Sequence, residues 1–352
     1  MFLDGLDIAV PERRYTQRQC WDALQRANRP ELNARVRSIL QGILTHDNGI
    51  ETRALALDSL DESFDLDPDT LHRRFVKHAP RLATEAARGA LRDAGLAADR
   101  IDAVVVSTCT GYLCPGLSSY VAESLGLRPD ALGLDLVGQG CGAALPNLRT
   151  ADALVASGRS EHVLSICVEV CSAAFYLDND LGVLVSACLF GDGAAAAVLS
   201  RGLRADRRRV EFTAAGSVTD PSERDALRFE QRGGMLRNIL TLPVPRLAAQ
   251  HARRLFDDVL AKEALAPEAV SAWILHAGGR KVLEELQAHL AIGCEEVRFS
   301  RAMLREYGNL SSPFVLFVLK AALDARARGG WWWMSSFGAG FSCHGALLAV
   351  SS

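Results

Sequence analysis

The sequence repeats one order of elements twice, and this repetition constrains the fold more than any other feature. In the first half, a β-branched stretch at residues 101–108 precedes a strand-like LGLDLV, a glycine turn GQGCG and a helix. In the second half, a strand-like SAWILH precedes EVRFS, YGNLSSP and another helix. Asn309 follows Cys141 by 168 residues, and His276 follows Thr108 by the same 168. The repetition predicts a duplicated β-α-β unit and an α/β protein.

Both halves end alike, in two apolar strand-like segments joined by a connection. These are VLSICVEV and AAAAVLS in the first half, and WWWMSS and HGALLAVS in the second. We therefore assign residues 1–205 to one half and residues 206–352 to the other. Halves of this kind pack back to back, and a site forms where matching helix starts and strand ends meet.

Local signals predict the remaining helices. Residues 17–27, 32–44 and 246–262 have helical patterns, whereas the acidic stretch 58–69 is predicted to be a loop. Proline at position 80 can open a helix at its first turn, and the glycine at position 95 ends that helix.

Composition excludes several classes of protein. The 352 residues are 49 % hydrophobic and 23 % charged, as in folded globular proteins. The formal net charge of −3 gives no general attraction to nucleic acid or anionic membrane. No apolar run is long enough for a membrane span, and Asp4 and Asp7 are unsuited to a signal peptide. The nine cysteines lack CxxC spacing, so we expect a cytoplasmic protein without a metal site.

Three side chains at predicted turns have the chemistry of a catalytic site. Cys141 has glycines on both sides and precedes a helix, whose N-terminus favours the thiolate. His276 ends a strand beside a glycine turn and could act as an acid or base, with His344 a weaker candidate. Asn309 could donate to an oxyanion. Taken singly, an inert buried thiol, a helix-capping histidine and an N-cap asparagine remain alternatives.

Five motifs surround these residues: GCG at 140–142, LFGDGAA at 189–195, WILHAGG at 273–279, YGNLSS at 307–312 and FGAG at 337–340. Together they resemble the type III polyketide synthases, the chalcone and stilbene synthase family. The segment TCTG at 108–111 is more similar to the bacterial and fungal members of that family than to the plant members, and we expect a bacterial-type member. Alanine stands in the last of these motifs where the family usually has proline. The resemblance runs from about residue 80 to the end. It implies a thiolase-type fold with an internally duplicated, five-layer α-β-α-β-α architecture, and a homodimer.

The resemblance implies an acyltransferase that condenses malonyl-CoA iteratively and with decarboxylation onto an acyl starter. Cys141 would hold the acyl chain, while His276 and Asn309 would bind the malonyl thioester and stabilise its enolate. The product would then cyclise to a pyrone, a resorcinol or a related aromatic polyketide. No cofactor or metal is implied beyond malonyl-CoA and the acyl-CoA substrates.

The resemblance also assigns residues to the substrate tunnel and cavity. Phe190 matches a gatekeeping phenylalanine, and Leu242 is the nearest candidate for a second gate. Small side chains at Ala174 and Gly234 leave room for a medium or long acyl starter, giving alkylpyrones or alkylresorcinols. The cavity-lining positions correspond to Cys109, Cys171, Ala174, Gly234 and Ser311.

Two further groups of residues follow from the resemblance. Cys114 matches a position that reaches across the dimer into the partner's cavity. Glu169, Cys109 and Ser311 match residues that hold a water for aldol-type cyclisation in some members, although a thiol is a weak donor.

The tunnel mouth departs from the plant enzymes, which bind the CoA phosphates with basic residues. The matching residues 40–50 contain no Lys or Arg. Either Arg35, Arg37, Arg53 and Arg280 replace them, or the starter arrives on an acyl carrier protein.

Three other readings of the same residues remain open. A ketoacyl-ACP synthase III shares the three catalytic residue types but condenses once. A thiolase-fold binding subunit without activity would have no reason to keep an activated thiol. A Cys-His-Asn protease is disfavoured, because no motif of that class is present.

Overall fold

The computed structural model describes residues 1–202 and 207–352, so the predicted boundary at residues 205 and 206 lies outside the described residues. None of the described helices is both long and apolar enough to cross a membrane. The strands are β1 (Phe2–Ala9), β2 (Arg14–Thr16), β3 (Thr52–Ala54), β4 (Ala103–Ser107), β5 (Leu132–Leu136), β6 (His162–Glu169), β7 (Gly193–Ser200), β8 (Val210–Thr219), β9 (Leu227–Arg232), β10 (Met235–Leu240), β11 (Val270–Leu275), β12 (Gly330–Gly338) and β13 (Ser342–Val350). The α-helices are α1 (Gln17–Ala27), α2 (Ala34–Thr45), α3 (Pro68–Ala94), α4 (Leu117–Leu125), α5 (Ala144–Ala156), α6 (Leu181–Leu189), α7 (Val244–Lys262), α8 (Arg280–Leu290), α9 (Arg298–Tyr307) and α10 (Phe314–Asp324).

A mixed sheet of nine strands runs through both halves of the described chain, in the order β11-β12-β13-β8-β1-β7-β6-β4-β5. β1 and β8 pair only through Phe2 and Glu211, so the sheet divides there into two half-sheets. The run β4-β6-β7-β1 has the same parallel and antiparallel relations as β11-β12-β13-β8. This correspondence confirms the predicted duplication.

Helices form three layers around the two half-sheets. α3 covers the outer face of the first half-sheet, where Val104 and Val106 point, and α7 and α8 cover the outer face of the second. α5 and α10 lie between the half-sheets, against Val105 of the first and Ile274 of the second. Because both faces of each half-sheet are covered, its strands are apolar throughout rather than alternating. The five-layer α-β-α-β-α prediction is confirmed.

Most helix predictions are confirmed, but the start of α3 is wrong. α1 has the predicted bounds, and α2 and α7 differ from theirs by about two residues at an end. α3 begins at Pro68, after Asp67 accepts a hydrogen bond from the Thr70 backbone at 2.8 Å. Pro80 therefore lies inside α3, and the predicted loop ends before position 69. Gly95 ends α3 with a φ of 58°, as predicted.

EVRFS occupies the place in the second half that the strand-like LGLDLV has in the first, but it is not a strand. It runs into α9, which buries Ser300, Leu304 and Tyr307 at helical spacing. The Ser300 hydroxyl donates to the Leu275 carbonyl at 2.8 Å and accepts from the Leu275 N–H at 3.3 Å. One side chain of α9 thus bonds the edge of β11 in place of a neighbouring strand. Among the described residues of the second half, no strand corresponds to β5.

The contact of α3 with β1 gives a stability prediction. A Cβ on Gly5 would lie 2.6 Å from the Ala94 nitrogen, so Gly5→Ala forces α3 away from the sheet. We expect the free energy of unfolding to fall by about 1–3 kcal/mol in urea denaturation. The control Gly42→Ala lies in α2, where a Cβ meets nothing within 4 Å, and should raise stability by about 0.5–1 kcal/mol. Equal effects at the two glycines would contradict this packing.

Candidate active site

Cys141 lies on a tight 3₁₀ turn between β5 and α5, with a glycine on each side. Gly140 has a φ of +56°, a conformation that side chains rarely adopt, and a Cβ there would lie 3.0 Å from the Ala339 nitrogen. The Gly142 carbonyl accepts a hydrogen bond from the Ser336 hydroxyl at 3.1 Å. The turn from the first half is therefore packed against the β12–β13 hairpin of the second.

His276 follows β11 and is 1 % exposed. Its ring lies edge-on to Phe314 and Phe337, at centroid separations of 5.3 and 5.0 Å. Neither ring nitrogen has a hydrogen-bond partner among the described residues. Burial lowers the pKa of His276 to about 3, so the resting imidazole is neutral. Both of its nitrogens remain available to a substrate or to a proton.

Asn309 connects the segment that carries His276 to the nucleophile. Its side-chain nitrogen donates to the Gly278 carbonyl at 3.3 Å, and its side-chain oxygen accepts from the Ser311 N–H at 2.8 Å. The second contact holds Ser311 at a φ of 58°, and the Ser311 hydroxyl donates to the Cys141 sulfur at 3.3 Å. Pro313, not Asn309, is the N-cap of α10. Asn309 is therefore not the N-cap of a helix, which was the alternative interpretation of its position in the sequence.

Cys141 rests as a thiol rather than as the expected thiolate. Burial raises the pKa of Cys141 to about 12, and the hydrogen bond from Ser311 only partly opposes this shift. α5 begins at Ala144, beyond the 3₁₀ turn, so its dipole does not outweigh the desolvation of the sulfur. For the predicted role of Cys141 as a nucleophile, the thiol proton would first have to move to an acceptor.

A fully buried carboxylate organises the space beside Cys141. Glu169 lies 3.2 Å from the Cys109 sulfur and 3.4 Å from the Ser311 hydroxyl, and those two atoms are 3.5 Å apart. Burial raises the pKa of Glu169, while its hydrogen bonds lower it. The three residues assigned to cyclisation are therefore in mutual contact. The hydrogen-bond donors to the Glu169 carboxylate are Thr108, Cys109, Thr110, Ser311 and Ser312.

Two cavities border this network and contain most of the predicted lining residues. The smaller, of about 20 Å³, is called here the inner pocket; the larger, of about 550 Å³, is called the outer cavity. Phe190 also packs directly against Cys141 and Cys171. The inner pocket includes Cys171, Ala174, Phe190 and Ser311. The outer cavity includes Cys109, Gly234, Gly140 and Ala339.

Phe229 and Thr110 line both cavities and were missed by the sequence reasoning. Phe229 lies on β9, which pairs only with β10 in a hairpin outside the main sheet. The resemblance placed only the turn residue of that hairpin, Gly234, at the cavity, and nothing in the sequence shows which face of β9 meets the site. Thr110 belongs to the segment TCTG at 108–111. Its position two residues after Thr108 was the one feature of the sequence that could have indicated its place in the site.

Leu242 does not lie where a gate is needed. Its side chain is 96 % exposed in the turn between β10 and α7. Leu240, the last residue of β10, instead packs against the cluster of Cys141, Cys171 and Phe190. Cys114 is also exposed and lines neither of the two cavities.

The arginines proposed for the tunnel mouth are unequal in availability. Arg53 is buried and donates to the carbonyls of Ala187 and Phe190, so it holds the end of α6. Arg37 donates to backbone carbonyls beside its own helix. Arg280 pairs with Asp47 at 2.6 Å. Only Arg35 combines exposure with no ion pair among those described.

Comparisons with known proteins agree with this geometry. The N-terminal domain model of chalcone and stilbene synthases matches residues 5–202, and the C-terminal domain model matches residues 230–350. A 3,5-dihydroxyphenylacetyl-CoA synthase of Streptomyces toyocaensis is 29 % identical over 329 residues, covering 91 % of this chain and 82 % of that protein. The synthase of the same name from Amycolatopsis orientalis is 31 % identical over 277 residues, covering 77 % and 74 %. The crystal structure of PKS-I from the brown alga Ectocarpus siliculosus has a TM-score of 0.91 and 26 % identity, covering 99 % of this chain and 98 % of that one.

His344, the weaker candidate histidine, has a structural setting behind the Cys141 turn. Its Nδ1 lies 2.8 Å from the Ser217 hydroxyl, which also accepts from Arg149 at 2.7 Å. Burial lowers the pKa of His344 to about 4. Between about pH 6.5 and 4, His344 therefore binds a proton in the unfolded chain but not in the folded chain. The free energy of unfolding falls as the pH falls through this window.

This histidine gives a pH prediction. The loss amounts to about 3 kcal/mol by pH 4, and His344→Gln should remove that part of the pH dependence. Urea unfolding at a series of pH values measures the slope. The control His72→Gln, at an exposed position on α3, should leave the slope unchanged. A slope in His344→Gln as steep as in the unmodified chain would contradict the burial argument.

Proposed function

Because the chain belongs to the chalcone and stilbene synthase family, we propose that Cys141 carries its acyl chain while His276 and Asn309 act on malonyl-CoA. The chain is a type III polyketide synthase, an acyltransferase that condenses malonyl-CoA units iteratively onto an acyl starter. One observation carries the assignment of these residues: the continuous contact from Cys141 through Ser311 to Asn309 and on to Gly278.

Acylation begins with the movement of one proton. Cys141 gives its thiol proton to a free ring nitrogen of His276, and the thiolate attacks the starter thioester. The carbonyl–sulfur bond to CoA breaks, and His276 returns the proton to the departing CoA thiolate. Burial penalises the thiolate and the imidazolium when each is charged alone. Transfer between them forms the two charges together and leaves the net charge of the site unchanged.

Condensation uses the same groups as hydrogen-bond donors. Malonyl-CoA loses CO₂ and becomes an enolate, whose oxygen accepts from the neutral imidazole and from the side-chain amide of Asn309. The enolate carbon attacks the acyl thioester on Cys141, and the cysteine sulfur leaves. The extended chain, now on CoA, returns to Cys141 for the next cycle.

Ring closure is assigned to the carboxylate network. Glu169, Cys109 and Ser311 are in mutual contact beside the nucleophile, which supports an aldol closure that yields a resorcinol-type ring. The two relatives are named for a 3,5-dihydroxyphenyl product, in which the hydroxyls sit on alternate ring carbons. A poly-β-keto chain places its oxygens at the same alternate positions.

The starter is assigned to the medium and long acyl-CoA esters. Ala174 in the inner pocket and Gly234 in the outer cavity are small, which supports this assignment. Delivery by CoA is compatible with the exposed Arg35, whereas Arg53 is already engaged inside the protein. Acyl carrier protein remains the second donor to test. All nine cysteines are free, which supports a reducing compartment such as the cytoplasm.

We further propose a homodimer joined along β5. β5 is the outer strand of the sheet, and an unpaired strand edge needs cover. Leu132, Val137 and Tyr112 around it are 45, 56 and 70 % exposed. Tyr112 and Val137 also line the outer cavity, so a second copy would close its rim. The placement of Cys114 in the partner's cavity stays a prediction within this dimer.

The activity is tested with malonyl-CoA, alone and with acetyl-, benzoyl-, octanoyl- and palmitoyl-CoA, using mass spectrometry of the products. We expect masses that grow by several acetate units, and none from Cys141→Ala. The matched control Cys294→Ala, at an exposed thiol, should keep full activity. His276→Gln should also slow iodoacetamide labelling of Cys141 by about 100-fold, because the proton acceptor is lost. A single extension would indicate a ketoacyl-ACP synthase instead.

Analytical ultracentrifugation tests the dimer. Val137→Arg places a charge beside the β5 edge, so we expect monomers at concentrations where the unmodified chain is dimeric. Leu242→Arg is the matched control, because this leucine is 96 % exposed and far from β5 in the chain order. Dimers that survive in Val137→Arg, or an equal loss in both variants, would contradict the proposed interface.

A further inference from the structure

We propose that the Asn238 side chain binds the first β-keto oxygen of the growing chain and so distinguishes an extended chain from an unextended starter. Asn238 lies on β10 and lines the inner pocket. It belongs neither to the proposed catalytic residues nor to the residues assigned by resemblance. The inference rests on the proposed function and adds a specificity-determining residue to it.

Asn238 is a buried amide without a partner for its oxygen. The residue is 7 % exposed, and Oδ1 has no hydrogen-bond partner among the described residues. A polar group in this state has left water without gaining a hydrogen bond in return, which lowers the stability of the fold. A ligand that supplies the missing bond recovers this free energy on binding. The unpaired amide therefore favours a ligand with a polar group.

The hydroxyls in the same pocket are already engaged. Those of Thr110, Ser186 and Ser311 each donate to an acceptor of the protein. Among the described residues that line the inner pocket, Asn238 contributes the only buried side-chain polar atom that lacks a partner. A polar group of a ligand in this pocket would therefore pair with Asn238 without breaking a bond inside the protein.

β10 presents Asn238 on the face that leads to Cys141. Side chains two residues apart lie on the same face of a strand. Leu236 lines the outer cavity, Asn238 lines the inner pocket, and Leu240 packs against the cluster that contains Cys141. Of these three side chains, only the middle one is polar. An acyl chain attached to Cys141 that enters the inner pocket therefore meets a single amide between two leucines.

Arg237 holds this part of β10 in position. Its guanidinium pairs with Glu230 of β9 at 2.7 Å, and with Asp180 and Asp178 at 2.7 and 3.1 Å. Asp180 is the N-cap of α6, so these ion pairs connect β10 both to β9 and to the segment before α6. A hydrogen-bonding group that is already fixed loses little conformational freedom when it binds a ligand. The amide is therefore preorganised for its partner.

The size of the inner pocket selects the part of the chain that it holds. A water-sized group needs on the order of 10–15 Å³, so a pocket of about 20 Å³ takes about one or two such groups. After one condensation, the third carbon counted from the thioester carries an oxygen, whereas an alkyl starter has only hydrogen there. An amide offers an N–H to the keto form and an oxygen to the hydroxyl of the enol form. Asn238 therefore finds a partner only after the first extension.

Two CoA esters of equal length test the proposal. Decanoyl-CoA and 3-oxodecanoyl-CoA have the same carbon chain, and only the second carries the β-keto oxygen. With malonyl-CoA held constant, we expect the unmodified chain to have the higher kcat/KM for the 3-oxo ester. Asn238→Leu should lower the ratio of the two values by about tenfold, because the buried hydrogen bond to that oxygen is lost. Since the two esters have nearly the same volume, any effect of the larger leucine side chain cancels in the ratio.

Two further variants serve as controls. Asn179→Leu changes an exposed asparagine outside the lining of both cavities, and its ratio should equal that of the unmodified chain. Asn147→Leu removes a buried asparagine that donates to the Ser107 hydroxyl and the Ile166 carbonyl, so its urea midpoint should fall. Asn238→Leu should keep its urea midpoint, because the Asn238 oxygen has no bond within the protein to lose.

The outcomes separate this inference from the proposed function. An unchanged ratio in Asn238→Leu, with polyketides still formed from both esters, would overturn the inference alone. A lowered urea midpoint together with an unchanged ratio would assign Asn238 a structural role and overturn it as well. Absence of product from every starter in the unmodified chain would overturn the proposed function instead.

Discussion

The site depends on two central helices that begin at the same place. α5 starts just after the Cys141 turn and α10 starts just after Asn309, and both lie between the two half-sheets. A helix packed against both half-sheets cannot shift without disturbing both, because the interior is close-packed. Cys141 comes from one half and its hydrogen-bonding partner Ser311 from the other. The proposed chemistry therefore requires the docked pair of halves rather than either half alone.

Burial gives this site its particular electrostatics. The pKa of Cys141 and that of Glu169 are raised, and the pKa of His276 is lowered, with desolvation the largest cause each time. Each group thus resists being charged by itself. A water-poor site of this kind also protects a thioester and an enolate from hydrolysis and protonation. The same desolvation that makes the resting thiol unreactive makes the hydrogen bonds to a developing oxyanion stronger.

Local signals were enough for the parts that depend on local chemistry. The glycines around Cys141 and the strand ending at His276 could be read from the sequence because a tight turn and a buried strand each need particular residues. The β9–β10 hairpin could not, since Phe229 reaches the site only through a tertiary placement that no pattern marks. Leu242 was wrongly chosen as the second gate for the same reason, because no sequence pattern shows which residue at the end of β10 packs toward the site. The start of α3 was wrongly predicted at Pro80, because the sequence around a proline inside a helix resembles the sequence around a proline at the start of one.

The Ser300 hydroxyl, which bonds both backbone groups of Leu275, has a consequence beyond the edge it caps. A sheet with two open edges can add copies at both ends and grow into a fibre, whereas a sheet with one open edge stops at a pair. The replacement of a fifth strand by α9 leaves β5 as the open edge. In the dimer proposed above, the imperfect copy of the first half in the second would thus end the sheet at α9, and the assembly would stay finite because the two halves are not identical.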